Sequence, residues 1–369
     1  LCAFIVMKCE CFSCITDLID YLNNNLIIAH YCGFNIMKPL PSHRTVDRFI
    51  LELNNDLLKK LMKSQVLKLS KMGIIDTSFI ALDSTPVSAN TRQNNPKSFA
   101  KNKFSKDNQP RSDKDCGLGV HTASNQHNER NFEYYWGYKN HILVDCITGL
   151  PIYELTTSDN VSDSTAALDI LSQTNSFLSV DECTFLADKG YDVKAIYNTV
   201  KELYHGEYVI PLNKRNTKDP KKLASGHPIC EAGLAMHKNG KLSDNGRTRQ
   251  KYCCPLKNSK CASCPCDHKN WNNGKKHRGC TKYVTISDDY RLSIDRECIS
   301  FKKLYALRTE AERYNSRFKQ TGQERLWGHS FNAAQNLNSV AHIALLAVAL
   351  AAIVTKSNSS YRCLKSVKR

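Results

Sequence analysis

The sequence predicts a mixed α/β fold: a mixed five-stranded sheet flanked by helices, with an N-terminal helical region and a basic, Cys-rich insertion before a late polar helix. Three observations predict it. Two apolar segments, FIALDSTPV and CTFLADKGYD, read as strands that run into carboxylates, Asp83 and Asp188. The stretch from Tyr134 to Thr157 alternates apolar and polar residues around TGLP, the pattern of a two-stranded hairpin. In LYALRTEAERYNSRFKQ, Tyr305, Arg308, Glu312 and Lys319 recur at steps of three, four and seven, which returns them to one stripe of an α-helix. Leu304, Leu307, Ala311, Tyr314 and Phe318 fall on a different face, fit to dock on a core.

Residues 1–75 read as helical, with apolar residues at helical spacing over Asp17–Ile28 and Thr45–Met72 and PLPSHRT as the break between them. Ser42 or His43 opens the second helix. This region suits DNA binding or dimerisation, and equally a plain packing role. The first carboxylate strand follows. Residues 88–131 are polar and without periodicity, and read as a long loop. After the hairpin, Ser162 or Asp163 caps a helix to about Thr174. The Asp188 strand, a helix over Val193–Leu203 and a short strand at Glu207–Leu212 complete residues 76–212. Asp145 reads as a turn-shaping residue, and Asp192 as the cap of the helix that follows it.

Residues 213–300 differ in composition. They carry 19 Lys+Arg against 8 Asp+Glu, a net +11 of the chain's +17. Residues 301–369 hold the polar helix and a last helix over Phe331–Thr355. Its apolar run, Val340–Val354, is short for a membrane span and contains His342, so it reads as a buried helix.

With 369 residues, the chain can bury one large core and one or two smaller modules. An excess of 52 Lys+Arg over 35 Asp+Glu favours a polyanionic partner, nucleic acid before membrane, since no basic amphipathic anchor is present in the sequence. Seventeen cysteines in a chain this long, with no complete signal peptide, point to free or metal-bound thiols and a cytoplasmic protein, nucleoid-associated when it binds DNA. The start at Leu1 rather than Met reads as a truncated N-terminus.

The order strand, hairpin, helix, strand, helix, strand, insertion, helix is that of a ribonuclease-H-like nucleotidyl-transfer site. Strand ends converge at one sheet edge, where a crossing helix can direct Glu312 at Asp83 and Asp188. Carboxylate oxygens suit Mg²⁺, and two such ions about 3.5–4 Å apart can activate the attacking oxygen and stabilise the leaving oxygen of a phosphodiester. Three acids so close repel unless metal or protonation offsets their charge.

At these residues the chain resembles bacterial insertion-sequence DDE transposases with a Tyr-x2-Arg-x3-Glu-x6-Lys signature, matched by Tyr305, Arg308, Glu312 and Lys319 at every spacing. ALDSTPV, GYKNHILVDCITGLPI, SDNVSDS, LADKGYD and PSHRTVDRF are further family-like segments, and the resemblance spans roughly residues 20–355. It implies that Asp83, Asp188 and Glu312 hold two Mg²⁺ ions, with Mn²⁺ able to substitute. It also implies that Tyr305 and Arg308 grip phosphates near the transposon end and that Lys319 contacts the backbone by the scissile bond. The partners implied are double-stranded DNA, as terminal inverted repeats and as target, and a second copy of the chain on that DNA. The alternatives are a decayed or domesticated copy that binds DNA without catalysis, and a related nuclease that only hydrolyses.

Cys261-x2-Cys264 forms one knuckle, and with Cys254 before it and Cys280 after it makes a candidate structural Zn²⁺ set. His268 and His277 are substitute ligands, and free buried thiols are the alternative. Lys and Arg interleaved with Tyr252, Trp271 and Tyr283 in the same insertion suit phosphates and unpaired bases.

Overall fold

The computed structural model describes residues 1–98, 101–124, 130–213, 227–244, 247–258, 265–267, 271, 279–286, 290–296, 298–356, 361–362 and 364. The chain forms two compact units, Leu1–Ile210 with Leu304–Arg369, and Pro211–Lys303.

The first unit opens with helices α1 (Cys2–Cys9), α2 (Ile15–Asn24), α3 (Leu26–Tyr31), α4 (His43–Glu52) and α5 (Asn55–Lys71). Ser42 starts α4, its Oγ accepting from the Thr45 amide at 3.4 Å. The single helix expected over Thr45–Met72 is two, because Asn54 caps a fresh start: its Oδ1 takes the Asp56 amide at 2.8 Å. The α2–α3 stretch also divides, at Asn25, whose side chain caps nothing ahead of it and donates back to the Tyr21 carbonyl at 2.8 Å.

Strands β1 (Phe79–Ser88), β2 (Gly117–Ser124), β3 (Arg130–Asp145), β4 (Pro151–Ser158), β5 (Thr184–Leu186) and β6 (Glu207–Val209) form one mixed sheet. Helix α6 (Asp163–Asn175) lies between β4 and β5, and α7 (Lys194–Asn198) between β5 and β6. The sheet has six strands, not five. The additional one, β2, comes from the stretch expected to be loop, and its alternation is obscured there by glycines and polar residues. Long β3 makes the sheet possible. It pairs antiparallel with β2 over residues 130–137, and with β1 and β4 over its second half. β1 is parallel to β5, and β5 to β6. Centrally placed, β1 buries Ile80, Ala81 and Leu82 in succession, as a strand covered on both faces does.

Helix α9 (Ile299–Ala306) starts in the second unit and runs into this one, whose remaining helices are α10 (Thr309–Phe318) and α11 (Phe331–Val354). In the second unit lie an antiparallel sheet of β7 (His237–Asp244), β8 (Arg247–Cys253) and β9 (Thr281–Ile286), and helix α8 (Tyr290–Ser293). By length and composition α11 is apolar enough to cross a membrane, but 67% of its most apolar window is buried inside the protein. It packs against α5 and β4 as a core helix.

Side chains alternate along β3. Its even-numbered residues meet α10 and α11, through the Asn140–His342 contact, and its odd-numbered residues meet α6, through Lys139 and Asp163. On the α10 side lies a buried polar chain. The Tyr314 hydroxyl donates to His342 Nδ1 at 2.6 Å, and His342 Nε2 reaches Asn140 Oδ1 at 2.9 Å. Asn140 Nδ2 donates to Glu154 Oε2 at 2.8 Å, and Glu154 is ion-paired with Lys59 of α5 and accepts from Ser339. Burial drives His342 down to about 4, so it is a neutral imidazole whose Nδ1 accepts and whose Nε2–H donates.

Candidate active site

Asp83 sits near the middle of β1, facing α10. Its neighbour in the sheet is set by register. Ile80 pairs with Phe185 and Ala81 with Leu186, so continuing two residues places Asp83 opposite Asp188, just past the end of β5. Parallel strands in register therefore deliver two carboxylates to one edge. Asp188 is pinned there by the tight turn it starts, its Oδ1 accepting the Gly190 amide at 2.7 Å.

Glu312 arrives on α10, which Tyr314 and Phe318 anchor from behind, both fully buried. The Arg317 guanidinium adds a tie, donating to the Gly149 carbonyl at 2.6 Å in the β3–β4 turn. Gly149 has φ +68°, and a Cβ there would press on Glu310 and Arg317.

The predicted continuous helix from Tyr305 to Lys319 is broken. α9 ends at Ala306, α10 starts at Thr309, and tight turns join them: the Arg308 amide donates to Tyr305 O and the Ala311 amide to Arg308 O. Arg308 keeps helical φ and ψ, so its side chain still reaches the Glu312 face. The guanidinium stands over the Tyr305 ring, 5.5 Å from its centroid, pairs with Glu312, and lies 3.9 Å from Asp83 Oδ1. Lys319 begins a wider helical turn and pairs with Glu324 at 3.6 Å. Thus Tyr305, Arg308, Glu312 and Asp83 are gathered, and Lys319 is engaged elsewhere.

Burial dominates the electrostatics of Asp83. Burial pushes Asp83 up to about 6, with smaller upward contributions from Asp188 and Glu312 and opposing ones from Arg308 and the Ser84 amide. Arg308 is held above its ordinary value, the pull of Tyr305, Asp83 and Glu312 outweighing its desolvation. In this state the guanidinium offsets part of the charge of Asp83 and Glu312.

Asn315 is a member of the site that the four-residue stripe omitted. Its Nδ2 donates to Asp83 Oδ2 at 3.0 Å, while its Oδ1 is buried without a partner among the described residues. The signal was present in the spacing: 308, 312, 315 and 319 are successive steps of four, three and four along one helix face. Tyr191, in the turn after Asp188, is also beside the acids. Burial, then Asp163, Asp83 and Asp188, push its hydroxyl far above the usual range.

Of three aspartates read as structural, Asp145 takes its expected role and the other two take different ones. Ser162, not Asp163, caps α6, and Asp163 pairs with Lys139 at 3.2 Å on the opposite sheet face. Asp145 shapes the hairpin turn, accepting from the Ile147 amide and the Thr148 hydroxyl. Asp192 does not cap α7; its carboxylate accepts the Tyr197 hydroxyl at 2.8 Å, and Val193 holds the cap position. Of the zinc candidates, Cys261 and Cys264 lie outside the described residues, as do His268 and His277, while Cys254 and Cys280 face one another at the end of the β8–β9 pairing.

The donor set around Asp83 is entirely oxygen, and the orphaned Asn315 Oδ1 adds a neutral acceptor facing no donor. Such a set fits a hard, hydrated divalent cation. Among the described residues, no three His, Cys, Asp or Glu groups yet stand together at metal-holding distances.

The transposase DDE-domain family model matches residues 75–347, most of the chain and the whole of this site. The chain belongs to the DDE-domain transposase family. No curated protein sequence matches it significantly. Among solved structures, the DDE-domain chain is similar to the piggyBac transposase in a synaptic complex with hairpin DNA, at 9% identity and TM-score 0.38, covering 85% of this chain and 58% of that one. It is also similar to Mos1 transposase in a strand transfer complex, at 15% identity, TM-score 0.20 and 42% coverage of each chain. A Mos1 mariner paired-end complex with Mn matches at 14% identity and TM-score 0.20, covering 42% of this chain and 43% of that one. This DDE-domain chain thus spans little more than half the length of the piggyBac transposase chain.

Proposed function

We propose that this chain is a DNA transposase that cuts the ends of a mobile element and joins them to target DNA, with Asp83, Asp188 and Glu312 as the catalytic carboxylates. The observation that carries this reading is the matched register of Asp83 and Asp188 on parallel strands, with Glu312 presented from a helix locked behind them. In this reading the three acids hold two Mg²⁺ ions, which supply Lewis acidity at the attacking and leaving oxygens; Mn²⁺ serves in their place. Asn315 orients the Asp83 carboxylate by its amide donation. Arg308, stacked on Tyr305, turns from the acids to a DNA phosphate, where a planar fork binds two oxygens. Lys319, freed from an exposed partner, meets the backbone near the scissile bond. The net +17 charge draws the chain to DNA, and two copies assemble to hold two ends. The action takes place on cytoplasmic, nucleoid DNA.

The test is a strand-transfer assay with duplexes carrying the element's own terminal repeats. Joined product in Mg²⁺ or Mn²⁺, lost with chelator and with Glu312→Gln, is expected. Nicking without joining would make the chain a nuclease, and binding without either would make it a DNA-binding relative. Light scattering of the DNA complex is expected to show two protein chains bridging two ends; cleavage by a monomer with no paired complex overturns the dimer.

A further inference from the structure

Strand β2 and the first half of β3 form a two-stranded ribbon at one end of the main sheet. Val120 pairs with Tyr134 and Leu118 with Trp136, so these side chains share one face. Alternation along β3 places Phe132 and Tyr138 on that face as well. Gly119 and Tyr135 pair on the opposite face, which is fixed to the body of the unit. There the Tyr135 hydroxyl donates to Asp159 Oδ1 at 2.8 Å, and a Cβ at Gly119 would collide with the Asp159 carboxylate. One side of the ribbon is therefore anchored, which fixes what the other side presents.

The aromatic row on the presented side changes character along its length. Its inner members are buried and give their polar groups to the segment before β2. Tyr138 donates to Asp113 Oδ1 at 2.6 Å, and Trp136 Nε1 to the Lys103 carbonyl at 2.8 Å. Asn94 ties the same segment to β3, accepting the Trp136 amide at 2.8 Å and donating to its carbonyl at 2.6 Å. The outer members are open: Tyr134 is 51% exposed and Phe132 59%, with Val120 exposed beside them. Phe104 stacks loosely on Tyr134, ring centroids 6.5 Å apart, and Lys103 Nζ lies 5.3 Å from the Phe104 centroid. Residues 97–115 carry six Lys and Arg against three Asp. Of those aspartates, Asp113 is buried under Tyr138 and Asp115 accepts the Phe331 amide. Among the described residues, none of the six cations takes part in an ion pair.

We propose that the open face of this ribbon is a stacking platform for unpaired DNA bases, with rings from Phe132 and Tyr134 and backbone contacts from Lys101, Lys103 and Lys106. The inference rests on the transposase reading for the origin of that DNA, a strand freed where one strand of a DNA end is cut. Exposed apolar rings on an anchored ribbon mark an interaction surface, and every base offers a π-face to cover them whatever its sequence. In a duplex those faces are already covered by neighbouring bases, which leaves only phosphates for the lysines. A second copy laid on this face would bring two uncompensated basic segments together, whereas a polyanion is drawn to them. Tyr134 lies eight residues along β3 from Ile142, the strand partner of Asp83, about 26 Å of strand. The platform thus stands clear of the acids, and its binding can be measured apart from cleavage.

The test measures, by fluorescence anisotropy, binding of the full chain to oligothymidylate of about 16 nucleotides and to a blunt duplex of equal length. Phe132→Ala and Tyr134→Ala are each expected to weaken strand binding about tenfold and to leave duplex binding within about twofold. Phe132→Trp is expected to retain strand binding, and Lys106→Gln to lower its salt slope by about 0.7. Should the alanine variants not fold, the wild-type chain decides: photocrosslinking with iodouracil-substituted strand is expected to mark Tyr134 or Phe132. Equal loss for strand and duplex would make this a general phosphate surface. Unchanged strand binding with altered self-association would make it a contact between copies, and crosslinks confined to Pro211–Lys303 would put the strand elsewhere. Each of these overturns the platform. Strand binding through the ribbon in a chain that cleaves no DNA overturns the transposase reading and leaves the platform standing. Cleavage with strand binding untouched by Phe132→Ala does the reverse.

Discussion

The two polar faces of α10 follow opposite rules. Toward the core, Tyr314 enters a partnered chain through His342, Asn140 and Glu154, all buried, to Lys59, which keeps a small exposed part. Toward the sheet edge, Glu312 is half exposed and Asp83 shares an arginine with it. A buried ionic group without its partner destabilises strongly, so the inner face has one arrangement. On the outer face only Glu312 is half exposed, so its pairing with Arg308 is screened by water, whereas Asp83 and Arg308 themselves are largely buried. The inner face fixes the helix in place, and the outer face carries the groups proposed for the chemistry.

The largest expected effect lies on the outer face. Asp83→Asn or Glu312→Gln is expected to lower Mg²⁺-dependent DNA cleavage on the order of 10³-fold or more, with the thermal midpoint unchanged or raised. A large fall in midpoint would show that the acids serve the fold instead. On the inner face the order reverses. Glu154→Ala leaves the largely buried Lys59 ammonium without its carboxylate, with only the residue-154 carbonyl to accept from it, which should remove up to about 3 kcal/mol from unfolding in urea; a change below ~1 kcal/mol would mean that Lys59 finds water.

The inner face also titrates. His342 is ordinarily near 6.5 and is held at about 4 in the fold, where it faces Glu154, Lys59 and the Tyr314 hydroxyl. The unfolded chain therefore binds the extra proton first. This contribution to stability is complete above pH 6.5 and is lost as pH falls through 4, a span of about 3 kcal/mol. Urea midpoints measured from pH 7 to 4 should fall accordingly, and a flat profile would place the imidazole in contact with solvent. Tyr314→Phe removes one link and should remove about 1–2 kcal/mol. The smallest expected change returns to the edge: Asn315→Ala should slow cleavage about tenfold without shifting the midpoint, and equal loss of both would make Asn315 a packing residue.

Much of the architecture could be read along the chain. The helix over α11 shows as a long apolar run and the hairpin of β3 and β4 by its alternation, and the carboxylates of the site stand in distinctive surroundings. What escaped were features set by partners distant in sequence. β2 looks like loop because its glycines and polar residues conceal alternation, and it becomes a strand only when β3 offers a full row of backbone partners. The break at Arg308 was hidden because no glycine or proline marks it; the guanidinium is held toward Asp83 and Glu312 there. Asn315 lay on the correct helical step, yet an asparagine reads as solvated surface until Asp83 is known to face it.

By itself, then, the sequence determined which residue types line up on each element, because helix and strand periods are local properties of the backbone. It thereby specified two acid-bearing strands and one acid-bearing helix in the order of a DDE-domain transposase. Tertiary structure decided which of those groups meet. The offset between β1 and β5 set Asp83 against Asp188, and the β8–β9 register set Cys254 against Cys280. Register is a relation between strands far apart in the chain, selected by burial and hydrogen bonding across the whole sheet. No local pattern contains it.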